Sequence, residues 1–220
     1  MPKSLFDIIG PIMAGPSSSH TAGAAKLGGL ARRFVKDDIA SVVFYLHGSF
    51  AKTYKGHGTD KALLGGIMGL PASSPELRFA FDLAKQSKID YKFVEADLGD
   101  VHPNSVKIEV VGSDGKTTVI SGASVGGGAV KITAINGIKM SLSGDYPAIV
   151  THHVDRRGIL SVISRFLAEN GLNVATVNLF RSEKGKDAFM IIESDDDFDD
   201  AIAEELKREV QDMIDVFIIK

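Results

Sequence analysis

The chain has no cysteine among its 220 residues. That absence excludes disulfides, thiol nucleophiles, zinc fingers and any iron–sulfur cluster ligated by this polypeptide. A metal bound here must be held by histidine or carboxylate side chains. Long hydrophobic runs are also missing, and no stretch approaches the roughly 20 apolar residues of a membrane-spanning helix. The opening segment, MPKSLFDIIGPIM, lacks the apolar core and small-residue cleavage site of a secretion signal, so the expected location is the cytoplasm. Charge of one sign is not in excess either. The 25 Lys and Arg against 28 Asp and Glu give a net charge of −3, too balanced for a nucleic-acid or membrane-surface binder. What is present is a chain 44% apolar, with length and apolar content for one large core or two modest ones.

Composition is uneven along the chain. Residues 1–150 hold 16 Lys/Arg and 13 Asp/Glu, a net of +3, whereas residues 151–220 hold 9 and 15, a net of −6. Of the 23 glycines, 20 fall in the first 150 residues. Two compositional regimes imply two domains. The turn-prone Ser143-Gly144-Asp145-Tyr146-Pro147 segment is the natural joint, which gives domains at 1–145 and 146–220.

The C-terminal part has the clearer periodicities. Residues 148–153 read as a short strand ending in His152-His153, a pair expected at the surface. Residues 157–170 place Ile159, Leu160, Ile163, Phe166 and Leu167 at helical spacing, with Gly171 as the stop. Residues 173–181 alternate as a strand, Glu183-Lys184-Gly185-Lys186 is a turn, and 188–193 pairs back. The acidic run at 195–200 sits where it would cap a helix over 201–210, and 213–219 closes as a strand. The order is βαββαβ, the split βαβ arrangement of a ferredoxin-like domain.

The N-terminal part mixes helices and strands. A loop at 10–19 leads into a helix over about 20–35. Residues 40–46 form a near-continuous apolar strand, which predicts burial on both faces. Helices are expected at 60–69 and 75–87, and strands at 91–95, 106–111, 117–120, 129–135 and 138–142. Ser113-Asp114-Gly115-Lys116 and Asn136-Gly137 read as hairpin turns. The fold class is α+β or α/β.

Chemistry concentrates in short polar motifs. In Gly15-Pro16-Ser17-Ser18-Ser19-His20-Thr21-Ala22-Gly23, three serines, a histidine and a threonine meet the start of a helix. Backbone N–H groups, the helix dipole and hydroxyl donors suit an anion such as a carboxylate there. One serine would suffice for N-capping, so the motif exceeds that need. Its spacing is not that of a P-loop. In His47-Gly48-Ser49-Phe50 and Lys55-Gly56-His57-Gly58-Thr59-Asp60, histidine flanked by glycine lies between a strand and a helix. Glycine neighbours let an imidazole approach a ligand, and histidine is the ordinary general base near neutral pH. Asp60 reads more simply as the next helix's N-cap than as an acid. His102-Pro103-Asn104-Ser105 and Ser124-Val125-Gly126-Gly127-Gly128 are weaker signals, each explicable as a turn.

Taken together, these motifs resemble those of the iron–sulfur-dependent L-serine dehydratases, and more narrowly the beta subunit of their two-chain form. The resemblance covers residues 1–145, and residues 146–220, with Asp155-Arg156-Arg157-Gly158, resemble an ACT regulatory domain. It implies deamination of L-serine to pyruvate and ammonia without pyridoxal phosphate, in amino-acid metabolism and gluconeogenesis. It also implies a [4Fe–4S] cluster whose cysteines belong to a partner alpha subunit, with this chain ligating no metal and inactive by itself. Carried onto this sequence, the resemblance makes His57 the leading base, with His20 as alternative or partner. Ser18, Ser19 and Thr21 then hold the substrate carboxylate, and His102 and Asn104 support them. In the ACT part, Asp155, Gly158 and Asn173 are the positions expected near an amino-acid effector. Self-association through either domain is expected. The N-terminal part also resembles the allosteric substrate-binding domain of some phosphoglycerate dehydrogenases, which leaves a rival reading: a serine-sensing or assembly subunit without catalytic residues. A purely structural subunit would not account for two histidine–glycine–hydroxyl motifs so close in sequence.

Overall fold

The computed structural model describes residues 12–220. The chain divides after Asn136 into two compact units, a few residues before the compositional joint at 143–147.

In the first unit, five strands are ordered β2-β1-β3-β4-β5: β1 (Ile39–Leu46), β2 (Asp90–Glu95), β3 (Ser105–Gly112), β4 (Thr117–Gly126) and β5 (Ala129–Ile135). β1 and β2 run parallel, which requires a long crossover, while β1/β3, β3/β4 and β4/β5 are antiparallel. The crossover holds α2 (Gly48–His57), α3 (Thr59–Ile67), a 3₁₀ turn (Pro75–Phe79) and α4 (Ala80–Gln86), and α1 (Gly23–Arg32) precedes β1. Leu27, Phe44, Leu46, Leu63, Ile67, Ile108 and Ile132 are among the buried side chains of this core. Contrary to the expectation of burial on both faces, β1 buries Ile39 at its irregular start and then Val42, Phe44 and Leu46 along one face, while Val43 and Tyr45 stay half-buried. The sheet is therefore packed like an antiparallel sheet with a single covered face, despite one parallel pair.

α1 and α3 touch backbone to backbone. A Cβ on Gly66 would run into the Ala25 carbonyl, and one on Gly28 into the Leu63 carbonyl and the Ile67 amide. Glycine at these positions is thus required by close approach, which accounts for part of the glycine enrichment.

Asn136 and Gly137 both have positive φ at their turn, and β6 (Ile138–Leu142) follows. The second unit continues with β7 (Ala148–Val154), α5 (Ile159–Glu169), β8 (Thr176–Arg181), β9 (Asp187–Glu193), α6 (Ala201–Glu209) and β10 (Met213–Ile219). Its sheet has the order β10-β7-β9-β8, antiparallel throughout, the arrangement of a ferredoxin-like βαββαβ domain. Ile159, Ile163, Phe166 and Leu167 of α5 pack with Ile202 and Leu206 of α6 on Ile149, Met190, Ile192 and Val216. Leu160, placed on the apolar face by its spacing, is instead 48% exposed. Asp199 of the acidic run accepts the Ala201 N–H at 2.9 Å, a helix-capping bond. His153, expected at the surface, is fully buried, with Nδ1 3.0 Å from the Thr151 hydroxyl and Nε2 without a partner. It shares the side of β7 that carries Ile149, so the pleat turns it into the core.

Candidate functional site

The first motif opens with a π-helical turn, Ser18–Ala22, directly continuous with α1. Ser17 performs the capping, its Oγ accepting the His20 N–H at 3.1 Å. Ser18 and Ser19 are therefore not needed as caps, and both remain half-buried. Thr21 is buried and its Oγ1 donates to the His57 carbonyl at 3.1 Å. This bond ties the first motif to the second.

The glycine-flanked segment expected between a strand and a helix is itself a helix, α2. Its Ser49 N–H donates to the Pro103 carbonyl at 2.8 Å, so the His102-Pro103-Asn104 loop anchors the helix start. Phe50 and Ala51 bury the helix face. His47 precedes the helix, and its Nδ1 accepts the Leu98 N–H at 3.1 Å, so that ring is engaged locally. His57 is the last residue of α2, followed by Gly58 at φ 68°. That left-handed residue is what allows a second helix, α3, to begin at once and leaves the His57 ring exposed at the corner. Asp60, expected as N-cap, lies inside the first turn of α3 instead. It is buried, accepts the Lys61 N–H at 2.8 Å, and burial raises its carboxyl above the usual range.

The two histidines meet. The ring centroids of His20 and His57 are 5.0 Å apart, and His20 packs edge-on against Phe50 at 5.3 Å. His20 Nε2 lies 3.0 Å from Ser49 Oγ. Burial, followed by the nearby His57, holds the His20 pKa below the ordinary imidazole value, so His20 is a neutral imidazole near pH 7. Beside this pair a cleft of about 280 Å³ is lined by Gly15, Thr21, Lys55, His57, Lys61 and Arg78, with neighbouring backbone. The arrangement offers an exposed imidazole and cationic side chains around one small space, with a hydroxyl-linked neutral imidazole packed behind the exposed one. That combination suits acid–base work on a small anionic substrate.

The remaining sequence-derived residues lie around this centre in different degrees. His102 is exposed and its Nδ1 accepts the Asn104 N–H at 3.1 Å. Half-buried Asn104 accepts the Ser124 N–H through its carbonyl at 3.0 Å. Ser124 belongs to β4, which runs on into the glycine motif, and its buried Oγ faces Gly23 without a hydrogen-bond partner. Thr59 likewise buries an unpartnered Oγ1 at the start of α3. Ser49, Lys61 and Arg78 are the site residues that motif reading passes over. Ser49 belongs to the His47-Gly48-Ser49-Phe50 motif, and the helical state of α2 is what turns it toward His20. Lys61 and Arg78 have no local signature. Among the described residues no group of three or more His, Asp or Glu is placed to hold a metal ion.

In the second unit, Asp155 accepts the Gly185 N–H at 3.2 Å and Arg181 Nη1 at 3.0 Å, and these contacts hold its carboxyl below the usual range. Gly158 precedes α5 with φ 84°, and Asn173 is exposed in the loop before β8.

Fold and site together define a mixed α/β chain whose C-terminal unit is a ferredoxin-like module. The family model described as ACT domain matches residues 148–211, and the one described as Serine dehydratase beta chain matches residues 4–134. The chain belongs to the serine dehydratase beta chain family. It is 42% identical to the "L-serine dehydratase, beta chain" of Peptoniphilus asaccharolyticus, covering 87% of each chain. It is 41% identical to the "Probable L-serine dehydratase, beta chain" of Bacillus subtilis (strain 168), over 94% of this chain and 93% of that one. A "D-3-phosphoglycerate dehydrogenase" of Bacillus subtilis (strain 168) is 27% identical over 89% of this chain and 37% of its own length.

Proposed function

We propose that this chain is the beta subunit of a cytoplasmic L-serine dehydratase and supplies acid–base and substrate-holding groups to an active site completed by an alpha subunit. The observation that supports this reading best is the junction of His20, Ser49, Thr21 and His57 beside one cleft. Deamination of L-serine removes the Cα proton and the β-hydroxyl as water. The resulting aminoacrylate tautomerises and is hydrolysed to pyruvate and ammonia. The step this chain can perform is proton removal, for which a neutral, positioned imidazole is suited. His57 takes the proton, because it lines the cleft. His20, bridged to Ser49, packs against the His57 ring and, with its own pKa lowered, stays neutral beside it. Ser18, Ser19 and Thr21 hold substrate from the π-helical turn, with His102 and Asn104 supporting the same wall.

A [4Fe–4S] cluster, which in such a dehydratase acts as a Lewis acid on the departing hydroxyl, finds no fitting ligand set here. The sequence is cysteine-free and no three-residue ligating group exists among the described residues. Its thiolates therefore belong to the alpha subunit. The ACT unit is a regulatory or pairing module. If it takes an amino acid, Asp155, Gly158 and Asn173 are nearest the expected place, and self-association through it or the first unit builds the larger assembly.

A second reading, a serine-sensing or assembly subunit without catalytic residues, draws support from the similarity to part of a differently named dehydrogenase. Anaerobic co-purification with the alpha subunit, followed by iron and pyruvate assays, tests the first reading. Pyruvate formation only with both chains present, and its loss in His57→Ala with assembly intact, supports it. Full activity in both His57→Ala and His20→Ala favours the second.

A further inference from the structure

Lys55, Lys61 and Arg78 come from three elements, the end of α2, the first turn of α3 and the 3₁₀ turn, yet all line the cleft beside His57. Among the described residues none of them has a carboxylate within ion-pair distance. Each cation lies over an aromatic ring instead: Lys55 over Tyr54 at 5.5 Å, Lys61 over Phe81 at 5.7 Å and Arg78 over Phe79 at 4.7 Å. An aromatic face positions a cation without neutralising it. Asp60, the acid these lysines feel, is buried and turned onto its own helix backbone through the Lys61 N–H. Of the hydroxyls assigned to the substrate carboxylate, that of Thr21 is already spent, donating to the His57 carbonyl.

We propose that Lys55, Lys61 and Arg78 form the carboxylate-binding wall of this site, holding the anionic end of an amino-acid substrate while its Cα faces His57. The inference rests on the dehydratase reading for the identity of the substrate, but the anion site itself stands on the cleft and on three cations that no carboxylate among the described residues pairs. Arg78 presents a fork suited to two carboxylate oxygens, and the lysines act as point charges. All three side chains sit at the surface of the cleft, so neutral replacements leave the core untouched.

Two measurements test it. In the complex with the alpha subunit, Arg78→Gln, Lys55→Gln and Lys61→Gln are expected to raise KM for L-serine, by about tenfold to a hundredfold for the strongest. kcat should change by less than about threefold, as for a contact made equally in ground and transition states, with partial rescue in Arg78→Lys. In the chain alone, the His57 ring resonances are followed by NMR at fixed pH and ionic strength. L-serine and acetate should shift them, the achiral amino diol serinol, which lacks the carboxylate, should not, and the triple glutamine variant should lose the response. Unchanged KM in all three single variants overturns the proposal. So does an equal response to serinol, or a response to inorganic phosphate without one to L-serine. Should the complex show no dehydratase activity, the dehydratase reading fails while the resonance shifts still judge the anion wall.

Discussion

The two units of this chain solve the problem of a buried core in opposite ways. The C-terminal unit lays amphipathic helices on a four-stranded sheet, with Ile163, Phe166 and Leu206 filling the space between. The N-terminal unit brings α1 and α3 together on glycine, with little side chain between them, and places its polar motifs where those helices begin. The first solution depends on apolar volume, whereas the second depends on backbone proximity. Polar chemistry therefore sits naturally in the N-terminal unit, because helix ends held that closely converge their N–H groups, hydroxyls and imidazoles.

The sharpest way to separate the units is through activity. His57→Ala is expected to lower the kcat of the reconstituted enzyme by about 10²- to 10⁴-fold, while Ile163→Ala should leave kcat within severalfold. Steady-state kinetics on complexes of verified composition distinguishes them, and equal losses from both would break the comparison. Next in size are the core truncations. Ile163→Ala should cost about 2–5 kcal/mol of stability, read as loss of hydrogen-exchange protection in the C-terminal unit. Gly66→Ala should cost about 1–3 kcal/mol by overpacking, confined to the N-terminal unit. Denaturation that spreads each loss equally over both units would show that they do not respond separately.

A smaller effect concerns acid. His20 and His153 both have pKa values depressed by burial, one in each unit. The native chain then binds fewer protons than the unfolded one just below the ordinary imidazole value, near 6.5. Stability is full above that pH and falls as pH drops through it toward the native values. His153→Leu should flatten the acid limb of the C-terminal unit and leave that of the N-terminal unit in place. An unchanged acid limb in the variant would remove His153 as its source. The smallest expected effect is Asp199→Ala, about 0.5–2 kcal/mol through loss of the bond to the Ala201 N–H, measured by thermal unfolding.

Legibility in the sequence followed the same divide. The C-terminal order of elements is readable because Ile159, Ile163, Phe166 and Leu167 repeat at helical spacing and the strands alternate cleanly. The spacing could not tell that Leu160 faces solvent, nor that β7 turns His153 inward. The histidine and hydroxyl motifs were also readable, since their residue types exceed structural need. What stayed hidden was the helix that arranges them. Gly48–His57 contains two glycines and a weak apolar face, so local propensity argues for a loop. Its helical state comes from tertiary partners, Phe50 in the core and Pro103 at its start. Lys61 and Arg78 were hidden for a related reason, because only the packing of three separate elements puts them beside His57.

The glycine contact between α1 and α3 has a consequence for precision. Side chains can hop between rotamers and let packed helices slip by fractions of an ångström. Two backbones in direct contact have no such play. Because Thr21 stands just before one of these helices and His57 just before the other, the Gly28–Gly66 contact works as a gauge block, fixing the spacing between the two polar motifs.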